Sequence, residues 1–425
     1  MRKELVKNVP TQELSFEKAL EVIRKHLQEN QFAFDSENIQ EKRMVYRDEV
    51  AKCLINKKLK VYGYEDSKDA IDNIVEELIG YSVLKDAMDD PEITDIYALN
   101  HETIFIENYK GEYKEYHKKW ESPKHYHNTI ERFLRNAKLE INPTDKSIVD
   151  FELGPNRGCV IHSSVATSGY ALAIRKHGQK EIAVNDLIKQ GVISEEEADF
   201  IEVIIKGGSN VIMAGVTGSG KTTSINAFLD AYVEGKRVMT AEDTRELNIA
   251  NKHTVYLQSR KSSNPESNVS LANLVTTMLR MKPKVIVVGE IREEESVAAV
   301  ESMETGHCTI FTMHAGSPMD AVNRLVIKYL TVMPALGSDT VERIIASAVD
   351  YIMIQDDIPG VGKRITSITE VTFEDESKNV KLTPIWKLSF ESYEPELVNA
   401  ISPIKAEKML RRGVSKEKLE KYLDK

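Results

Sequence analysis

The sequence predicts an α/β protein whose largest domain contains a mostly parallel β-sheet covered by helices on both faces. From residue 200 onward, near-continuous apolar strands alternate with amphipathic helices, a pattern typical of parallel sheets that are buried on both sides. Shorter segments between residues 79 and 176 predict a separate α+β domain. The chain of 425 residues is long enough for two or three domains.

The amino-terminal part is charged and has helical periodicity. Ser15 is placed to cap a helix that carries Leu20, Ile23 and Leu27 on one face. Further helices are predicted over 39–56 and from Ser67, so we assign 1–78 as a helical N-terminal extension. In the α+β N-terminal domain, 79–176, we predict strands over 96–100, 103–107, 159–163 and 171–175, a helix over 124–137 and a turn at 156–158.

Residues 177–199 are polar with scattered glycine and predict a linker. Within it, Ser194-Glu-Glu-Glu197 fits a capping box that starts a helix ending at Gly207-Gly208. The main domain is assigned to 200–392, and 393–425 to a helical C-terminal tail. In the main domain we predict strands over 211–214, 237–241, 254–258, 285–288, 309–313 and 351–355, helices over 223–232, 271–281, 294–305 and 319–330, and a hairpin over 365–373 and 380–390.

A glycine-rich loop, Gly215-Val-Thr-Gly-Ser-Gly-Lys-Thr222, lies between the first of these strands and its helix. Strand, loop and helix together are the context in which G-x-x-x-x-G-K-[ST] predicts a phosphate-binding loop. Glycine allows backbone N–H groups to approach phosphate oxygens, and the helix N-terminus favours an anion. We therefore predict a nucleotide bound by Gly215, Thr217, Gly218, Ser219, Gly220, Lys221, Thr222 and Thr223, with Lys221 at the β- and γ-phosphates and Thr222 on Mg²⁺.

Three further clusters follow predicted strands. Thr240-Ala-Glu-Asp-Thr-Arg-Glu246 lies where ligands bind in open α/β sheets. Glu242 is our preferred general base there, with Asp243 and Glu246 shaping the site, and a solvated acidic loop remains an equal alternative. Pro283-Lys-Val-Ile-Val-Val-Gly-Glu-Ile-Arg292 places Glu290 after a buried strand, beside Mg²⁺ or its waters.

The third cluster, Gly306 to His314, has a histidine at each end of a strand. The extended strand between His307 and His314 spans roughly 23 Å, so a metal shared with Cys308 is not expected. We assign His307 a structural role and His314 a role at the γ-phosphate.

Composition argues against several classes of protein. The net charge is −10 and no long basic run occurs, which argues against a nucleic-acid partner. The three cysteines are far apart and form no C-x-x-C pair, so neither a disulfide framework nor a cysteine zinc site is indicated, and a reducing cytosol is expected. The sequence contains neither a signal peptide nor an apolar run of about 18 residues, so any membrane association is expected to be peripheral.

Taken in order, the motifs resemble those of one family. GVTGSGKT, AEDTRE, LRMKP followed by VIVVGEIR, and TGHCTIFTMHAGSP look like the Walker A, Asp-box, Walker B and His-box motifs of the type II/type IV secretion ATPase superfamily. Gly80 to Leu84, Asp90 to Ile96 and Ala173 to Lys176 resemble its Tad/Flp-pilus (CpaF-type) and conjugative-transfer branch. The tetracysteine zinc module of other branches does not occur in the sequence, so no zinc is implied. Lys284 replaces the acidic residue usual before the Walker B strand.

The resemblance implies a homo-hexamer of subunits with a PAS-like N-terminal domain and a RecA-like P-loop NTPase C-terminal domain, which hold ATP and Mg²⁺ between them. It implies a cytoplasmic, peripherally membrane-associated ATPase that powers pilus assembly or type II/IV secretion through an inner-membrane platform protein. By motif, Lys221, Glu242, Glu290 and His314 would be catalytic, and Thr222 and Glu290 would hold the metal. Arg157 and Arg175 would reach the phosphates, and Arg280 and Arg292 would line the site or the subunit interface.

Two other functions use the same core. One is a nucleic-acid translocase or helicase, which the acidic balance and the lack of a base-stacking aromatic series disfavour. The other is a nucleotide-gated scaffold that barely hydrolyses ATP, against which the intact Lys221, Glu242 and Glu290 argue.

Overall fold

The computed structural model describes residues 12–34, 39–109, 111–176, 182–260, 265–374, 376 and 379–423. The chain divides into two compact units, Met1–Lys180 and Glu181–Lys425. Across the described ranges, no helix is both long enough and apolar enough to cross a membrane.

The first unit begins with a small helical subdomain. Leu20, Ile23 and Leu27 of its first helix pack against Val50 and Ile74, as the helical periodicity predicts. Two short strands that pair in parallel, Gln12 opposite Leu59, were not predicted, because three-residue strands carry too little alternation to detect. The elements are β1 Gln12–Leu14, α1 Phe16–Glu29, α2 Ile39–Lys57, β2 Leu59–Val61 and α3 Ser67–Ile79.

The rest of the first unit is a six-stranded antiparallel sheet with the strand order β5-β4-β3-β8-β7-β6. Its core contains Trp120, Phe133 and Phe151. The elements are α4 Lys85–Asp89, β3 Ile93–Ala98, β4 Ile104–Asn108, β5 Tyr113–Glu115, α5 Pro123–Asn136, β6 Ile148–Leu153, β7 Asn156–Ile161 and β8 Ala171–Arg175.

The turn predicted at 156–158 is wrong. Leu153 pairs with Asn156, so the turn consists of residues 154 and 155, and β7 already begins at Asn156. Gly158 lies inside the strand, where a Cβ would come within 2.3 Å of the Phe151 ring. This glycine therefore marks a close approach of an aromatic side chain rather than a turn.

The second unit is a nine-stranded sheet with the order β11-β10-β12-β13-β9-β14-β15-β16-β17. Strands β11 to β14 of this order are parallel, and the last three are added antiparallel. The elements are α6 Val184–Lys189, α7 Glu195–Lys206, β9 Val211–Ala214, α8 Lys221–Tyr232, β10 Val238–Glu242, β11 Thr254–Gln258, α9 Leu271–Leu279, β12 Val285–Val288, α10 Glu295–Glu304, β13 Cys308–Met313, α11 Pro318–Val332, α12 Ser338–Ala348, β14 Tyr351–Ile358, β15 Gly362–Glu374, β16 Asn379–Leu388, β17 Pro395–Leu397, α13 Pro403–Arg411 and α14 Lys416–Glu420.

The sheet is buried on both faces, as predicted from its apolar strands. Val211 and Met213 of β9 belong to one core, which includes Phe200 and Phe228 from α7 and α8. Ile212 and Ala214 belong to the other, beneath α9 to α12. The predicted bounds of β9, β11 and β12 are confirmed, whereas helix α12 was missed.

The segment predicted as a linker differs in the structure. Leu187, Val192 and Ile193 are buried in the core of the second unit, whose boundary falls after Lys180. Residues 177–181 lie outside the described ranges. Met409 and Leu419, from the predicted C-terminal tail, are buried in the same core, so both segments are built into this unit.

Candidate nucleotide-binding site

The glycine-rich loop joins the carboxyl end of β9 to the amino end of α8, which begins at Lys221. Gly220 caps the helix with a φ of +93°, a conformation that glycine adopts at little cost. At Gly215 a Cβ would lie 2.0 Å from the backbone oxygen of Gln355. Two glycines are therefore required by local geometry, and the free N–H groups of the first helical turn are directed at the loop.

Lys221 is folded over its own loop. Its ammonium donates hydrogen bonds to the carbonyl oxygens of Gly215, at 2.9 Å, and Val216, at 2.8 Å. Burial lowers the pKa of Lys221, while Glu290, Glu246 and Asp356 act in the opposite direction. The predicted anion-binding lysine thus lies at the mouth of the loop with acidic groups around it.

The loop is supported by a residue that the sequence did not single out. Gln355, on β14 beside the loop's own strand, donates from Nε2 to the carbonyl oxygen of Ser219 at 2.6 Å. Its Oε1 is buried and has no hydrogen-bond partner among the residues that the structure describes. Lys363 of β15 reaches the same loop, with Cδ 3.2 Å from where a Cβ at Gly220 would lie. No sequence signal marks these residues, because they become neighbours of the loop only through the strand order.

The remaining loop residues differ in their exposure to solvent. Ser219 is fully buried and donates from its hydroxyl to the carbonyl oxygen of Val216 at 2.9 Å. Thr217, Gly218 and Thr223 are exposed, and Thr222 is partly exposed at the second position of α8. Thr222 is thus open to solvent at the helix N-terminus, where a metal ligand is predicted.

Glu290 and His314 meet beside the loop. His314 Nδ1 donates to the carbonyl oxygen of Gly215 at 3.3 Å, and its Nε2 lies 2.9 Å from Glu290 Oε1. Arg292 donates to the other carboxylate oxygen, Glu290 Oε2, at 2.5 Å. Burial raises the pKa of Glu290, but Arg292, His314 and Lys221 outweigh it, so the pKa is lowered and the carboxylate stays charged. Three predicted residues are therefore brought together: Glu290, His314 and Arg292.

Glu242 is the most deeply buried of the predicted acids. It is 2% exposed at the end of β10, and its Oε1 accepts the backbone N–H groups of Glu246 and Leu247 at 3.0 and 3.1 Å. Within the described part of the chain, Oε2 has no hydrogen-bond partner. Burial raises the pKa of Glu242 to about 7, against the effect of those two backbone bonds. The solvated-loop alternative therefore does not hold for Glu242.

Other predicted residues lie around this centre or away from it. Asp243 is exposed and accepts a hydrogen bond from the Ser259 hydroxyl at 2.7 Å, and Glu246 is also exposed. Arg280 is exposed at the end of α9. His307 lies at the start of β13, with Nδ1 2.8 Å from the hydroxyl of Thr305. This contact fits the structural role predicted for His307.

Arg157 and Arg175 belong to the first unit. They are direct partners on the antiparallel strands β7 and β8, so their side chains project from the same face of the sheet. Both are exposed. Arg175 also pairs in register with Asp95, and its Nε lies 3.8 Å from Asp95 Oδ1. The two predicted arginines thus form an adjacent exposed pair.

Comparison with known proteins identifies the family. The family model described as "Type II/IV secretion system protein" matches residues 157–373, which is just over half of the chain. The chain belongs to this secretion ATPase family. The family match includes both arginines and all three motif clusters around the loop.

Individual relatives are more distant. An uncharacterized protein of Methanocaldococcus jannaschii is 33% identical over 180 residues, which cover 42% of this chain and 33% of that protein. The conjugal transfer protein TrbB of Rhizobium radiobacter is 29% identical over 208 residues, which cover 48% of this chain and 61% of TrbB. The chain therefore matches between a third and about three fifths of the length of these curated relatives.

Among solved structures, the Legionella pneumophila ATPase DotB is similar with a TM-score of 0.52 and 20% identity. The similarity covers 69% of this chain and 80% of the DotB chain. This similarity supports the assignment of a RecA-like fold to the second unit, with an α/β sheet that carries a P-loop.

Proposed function

We propose that this chain is an ATPase subunit that hydrolyses ATP at the loop 215–222 to power pilus assembly or type II/IV secretion. The observation that carries the proposal is the cluster of Lys221, His314 and Glu290 beside the loop. Lys221 donates to the carbonyl oxygens of Gly215 and Val216, His314 donates to that of Gly215, and Glu290 contacts His314. A P-loop alone indicates nucleotide binding. Acidic and imidazole groups beside the loop add the means to position and cleave the terminal phosphate.

Lys221 supplies the charge at the phosphates. An ammonium group has three donors, and two of them are used by the carbonyl oxygens of Gly215 and Val216. The third donor is available for a phosphate oxygen. The backbone N–H groups at the start of α8 point to the same place and add the positive end of the helix dipole.

Thr222 and Glu290 are the residues that would hold Mg²⁺. A charged carboxylate and a hydroxyl are the hard oxygen donors that this ion prefers, and the lowered pKa of Glu290 keeps its carboxylate ionised. When bound, the ion would neutralise charge on the β- and γ-phosphate oxygens. Because Arg292 and His314 flank Glu290, they would fix the orientation of this carboxylate.

Glu242 is proposed as the general base. A water oxygen attacks the γ-phosphorus, the bond to the β-phosphate oxygen breaks, ADP leaves with the bonding electron pair, and the water proton passes to Glu242. The pKa of about 7 suits proton acceptance near neutral pH. The unpartnered Oε2 is the oxygen available to that water, since Oε1 accepts two backbone N–H groups.

Arg157 and Arg175 are proposed to stabilise the phosphate charge that develops during cleavage. Adjacent guanidinium groups bind phosphate oxygens with strong, charge-assisted hydrogen bonds. Their exposed pairing on β7 and β8 supports the assignment. Such arginines can contribute factors of about 10³ to 10⁵ to the rate.

We further propose that the subunits form a homo-hexameric ring, cytoplasmic and peripherally bound to an inner-membrane platform protein. The related TrbB is a conjugal transfer protein, which supports a role in the conjugative-transfer branch. The Tad/Flp-pilus branch is proposed as the alternative on the motif resemblance alone. The acidic composition disfavours a translocase that moves along nucleic acid.

The proposed activity is tested by Mg²⁺-dependent release of phosphate from ATP by the full chain. Lys221→Ala should reduce turnover to background, because it removes the ammonium that binds the carbonyl oxygens of Gly215 and Val216 and that is proposed to reach the phosphates. Lys416→Ala, an exposed lysine at the start of α14, is the matched control and should keep wild-type turnover. Unchanged turnover in Lys221→Ala would refute the proposal.

A further inference from the structure

The N-terminal edge of the parallel sheet carries a row of basic residues. His253, Arg237, Lys284 and His307 immediately precede β11, β10, β12 and β13, which are neighbours in this order. Backbone hydrogen bonds align them: Val238 N donates to His253 O at 3.1 Å, Lys284 N to Arg237 O at 2.8 Å, and Cys308 N to Lys284 O at 3.4 Å. At a strand spacing of about 4.8 Å, the row is about 15 Å long.

Two further basic residues extend the row. Arg412, which follows α13, donates to the carbonyl oxygen of Gly306 at 2.7 Å. Lys236 donates to the carbonyl oxygen of Lys206 at 3.4 Å. We call Lys236, Arg237, Lys284 and Arg412, together with His253 and His307, the basic edge. It lies at the opposite ends of the strands from the loop 215–222.

The charges of the basic edge are not neutralised by neighbouring acids. Over the described ranges, none of its six residues has a carboxylate oxygen within 4.0 Å. Burial is the largest cause that lowers the pKa of Lys236 and of His307. Neighbouring charges add to it: Lys206 and Arg412 lower the pKa of Lys236, and Arg412 and Lys284 lower that of His307. The nearby Asp350 is buried and bound by Lys405 and Lys408, so it does not offset the edge. The four lysine and arginine side chains of the edge, which have no carboxylate partner in a chain of net charge −10, create a local positive potential.

We propose that the basic edge is a docking surface for an acidic polypeptide segment of a partner protein. Charge complementarity favours an anionic partner. The row is narrow, and two exposed acids lie close to it in sequence, Glu234 in the turn before Lys236 and Glu304 at the end of α10. A planar anionic membrane would meet these acids as well, whereas an extended peptide can follow the row within the screening distance of about 8–10 Å. A nucleic acid is also anionic, but it is longer than the row. It would therefore also approach the rest of the chain, which is acidic.

The test uses the full chain and a fluorescein-labelled peptide of alternating Glu and Ser, about 12 residues long, at low salt, where the screening length is long. Binding is followed by fluorescence anisotropy. The edge variant Arg237→Glu/Lys284→Glu should bind the peptide at least about tenfold more weakly than wild type. The matched control Lys124→Glu/Lys416→Glu makes the same change in net charge at two exposed residues in first helical turns. Its affinity should stay within about twofold.

Added salt should weaken binding of the peptide to the wild type, and a Lys-Ser peptide should not bind. Both double variants should keep the thermal unfolding midpoint and ATP turnover of the wild type, because neither changes the loop 215–222 or a core residue. The proposal is overturned if the wild type does not bind the acidic peptide, or if both doubles lose affinity equally. It is also overturned if the edge variant loses binding to phosphatidylglycerol vesicles or duplex DNA but still binds the peptide.

Discussion

Glu242 lies directly against Gly289. The two residues follow in register on neighbouring strands, since Ala241 pairs with Val288, and a Cβ at position 289 would come within 2.9 Å of Glu242 Cγ. The glycine that precedes Glu290 is therefore needed for the placement of a different acid, 47 residues earlier in the chain. Strand pairing thus makes the Asp-box and Walker B motifs parts of one site.

Gly289→Ala should displace Glu242 and lower the kcat of ATP hydrolysis at least about tenfold, which corresponds to about 1.4 kcal/mol. Nucleotide affinity should change little, because the loop backbone is untouched. Steady-state phosphate release and equilibrium binding of a fluorescent ATP analogue measure both. Gly337→Ala is the matched control, since a Cβ there meets nothing within 4 Å. Wild-type kcat in Gly289→Ala would contradict the placement of Glu242.

The raised pKa of Glu242 predicts a pH effect on the rate. A general base acts in its deprotonated form, so kcat/KM should rise with pH through about 7 and then level off. Glu242→Gln should remove most of the activity at every pH. If the weak residual activity of this variant still falls as pH is lowered through about 7, a group other than Glu242 causes the pH dependence.

The same pKa predicts a pH effect on stability. A carboxyl whose pKa rises from 4.5 unfolded to about 7 folded binds its proton more tightly in the folded state. The free energy of unfolding therefore falls as pH rises between those values, by up to about 3 kcal/mol. Glu197, also buried with a pKa of about 7, should behave alike. Glu242→Gln and Glu197→Gln should each reduce this slope in denaturant titrations, whereas only Glu242→Gln should lower turnover.

Gln355→Ala should raise the KM for ATP several-fold with a smaller effect on kcat. The substitution removes the donor to Ser219 O, and leaving a buried carbonyl without its partner costs about 1–3 kcal/mol, which loosens the loop before substrate binds. Initial rates over a range of ATP concentrations separate the two constants. Thr372→Ala, at a partly exposed position on the adjacent β15, is the control and should leave both constants unchanged. An unaltered KM in Gln355→Ala would show that the loop keeps its conformation without this hydrogen bond.

Arg175→Ala should slow hydrolysis more than it weakens ATP binding. Removing Arg175 relieves its repulsion with Arg157 but also loses its exposed ion pair with Asp95. These two small effects oppose each other, so stability should change by less than about 1 kcal/mol. Single-turnover rates and thermal unfolding provide the two readouts, with Lys114→Ala on β5 of the same sheet as control. A rate constant equal to that of the wild type would remove Arg175 from the site.

Much of the second unit was predictable because its signals are local. The apolar runs of β9, β11 and β12 and the capping box at Ser194 depend on residues close in sequence. Segments with weak local patterns were misjudged. Residues 182–199 are polar enough to predict a linker, yet Leu187, Val192 and Ile193 are buried, since a few apolar side chains suffice to anchor a segment onto an existing core.

The sequence by itself determined the loop 215–222, because a strand, three glycines, a lysine and a helix start lie within a dozen consecutive residues. Only the tertiary structure decided which distant groups complete the site. Gln355 reaches Ser219 across 136 residues, and His314 reaches Gly215 across 99. These contacts exist because β13 and β14 flank β9, and that strand order follows from how the helices pack on both faces of the sheet rather than from any short stretch of the chain.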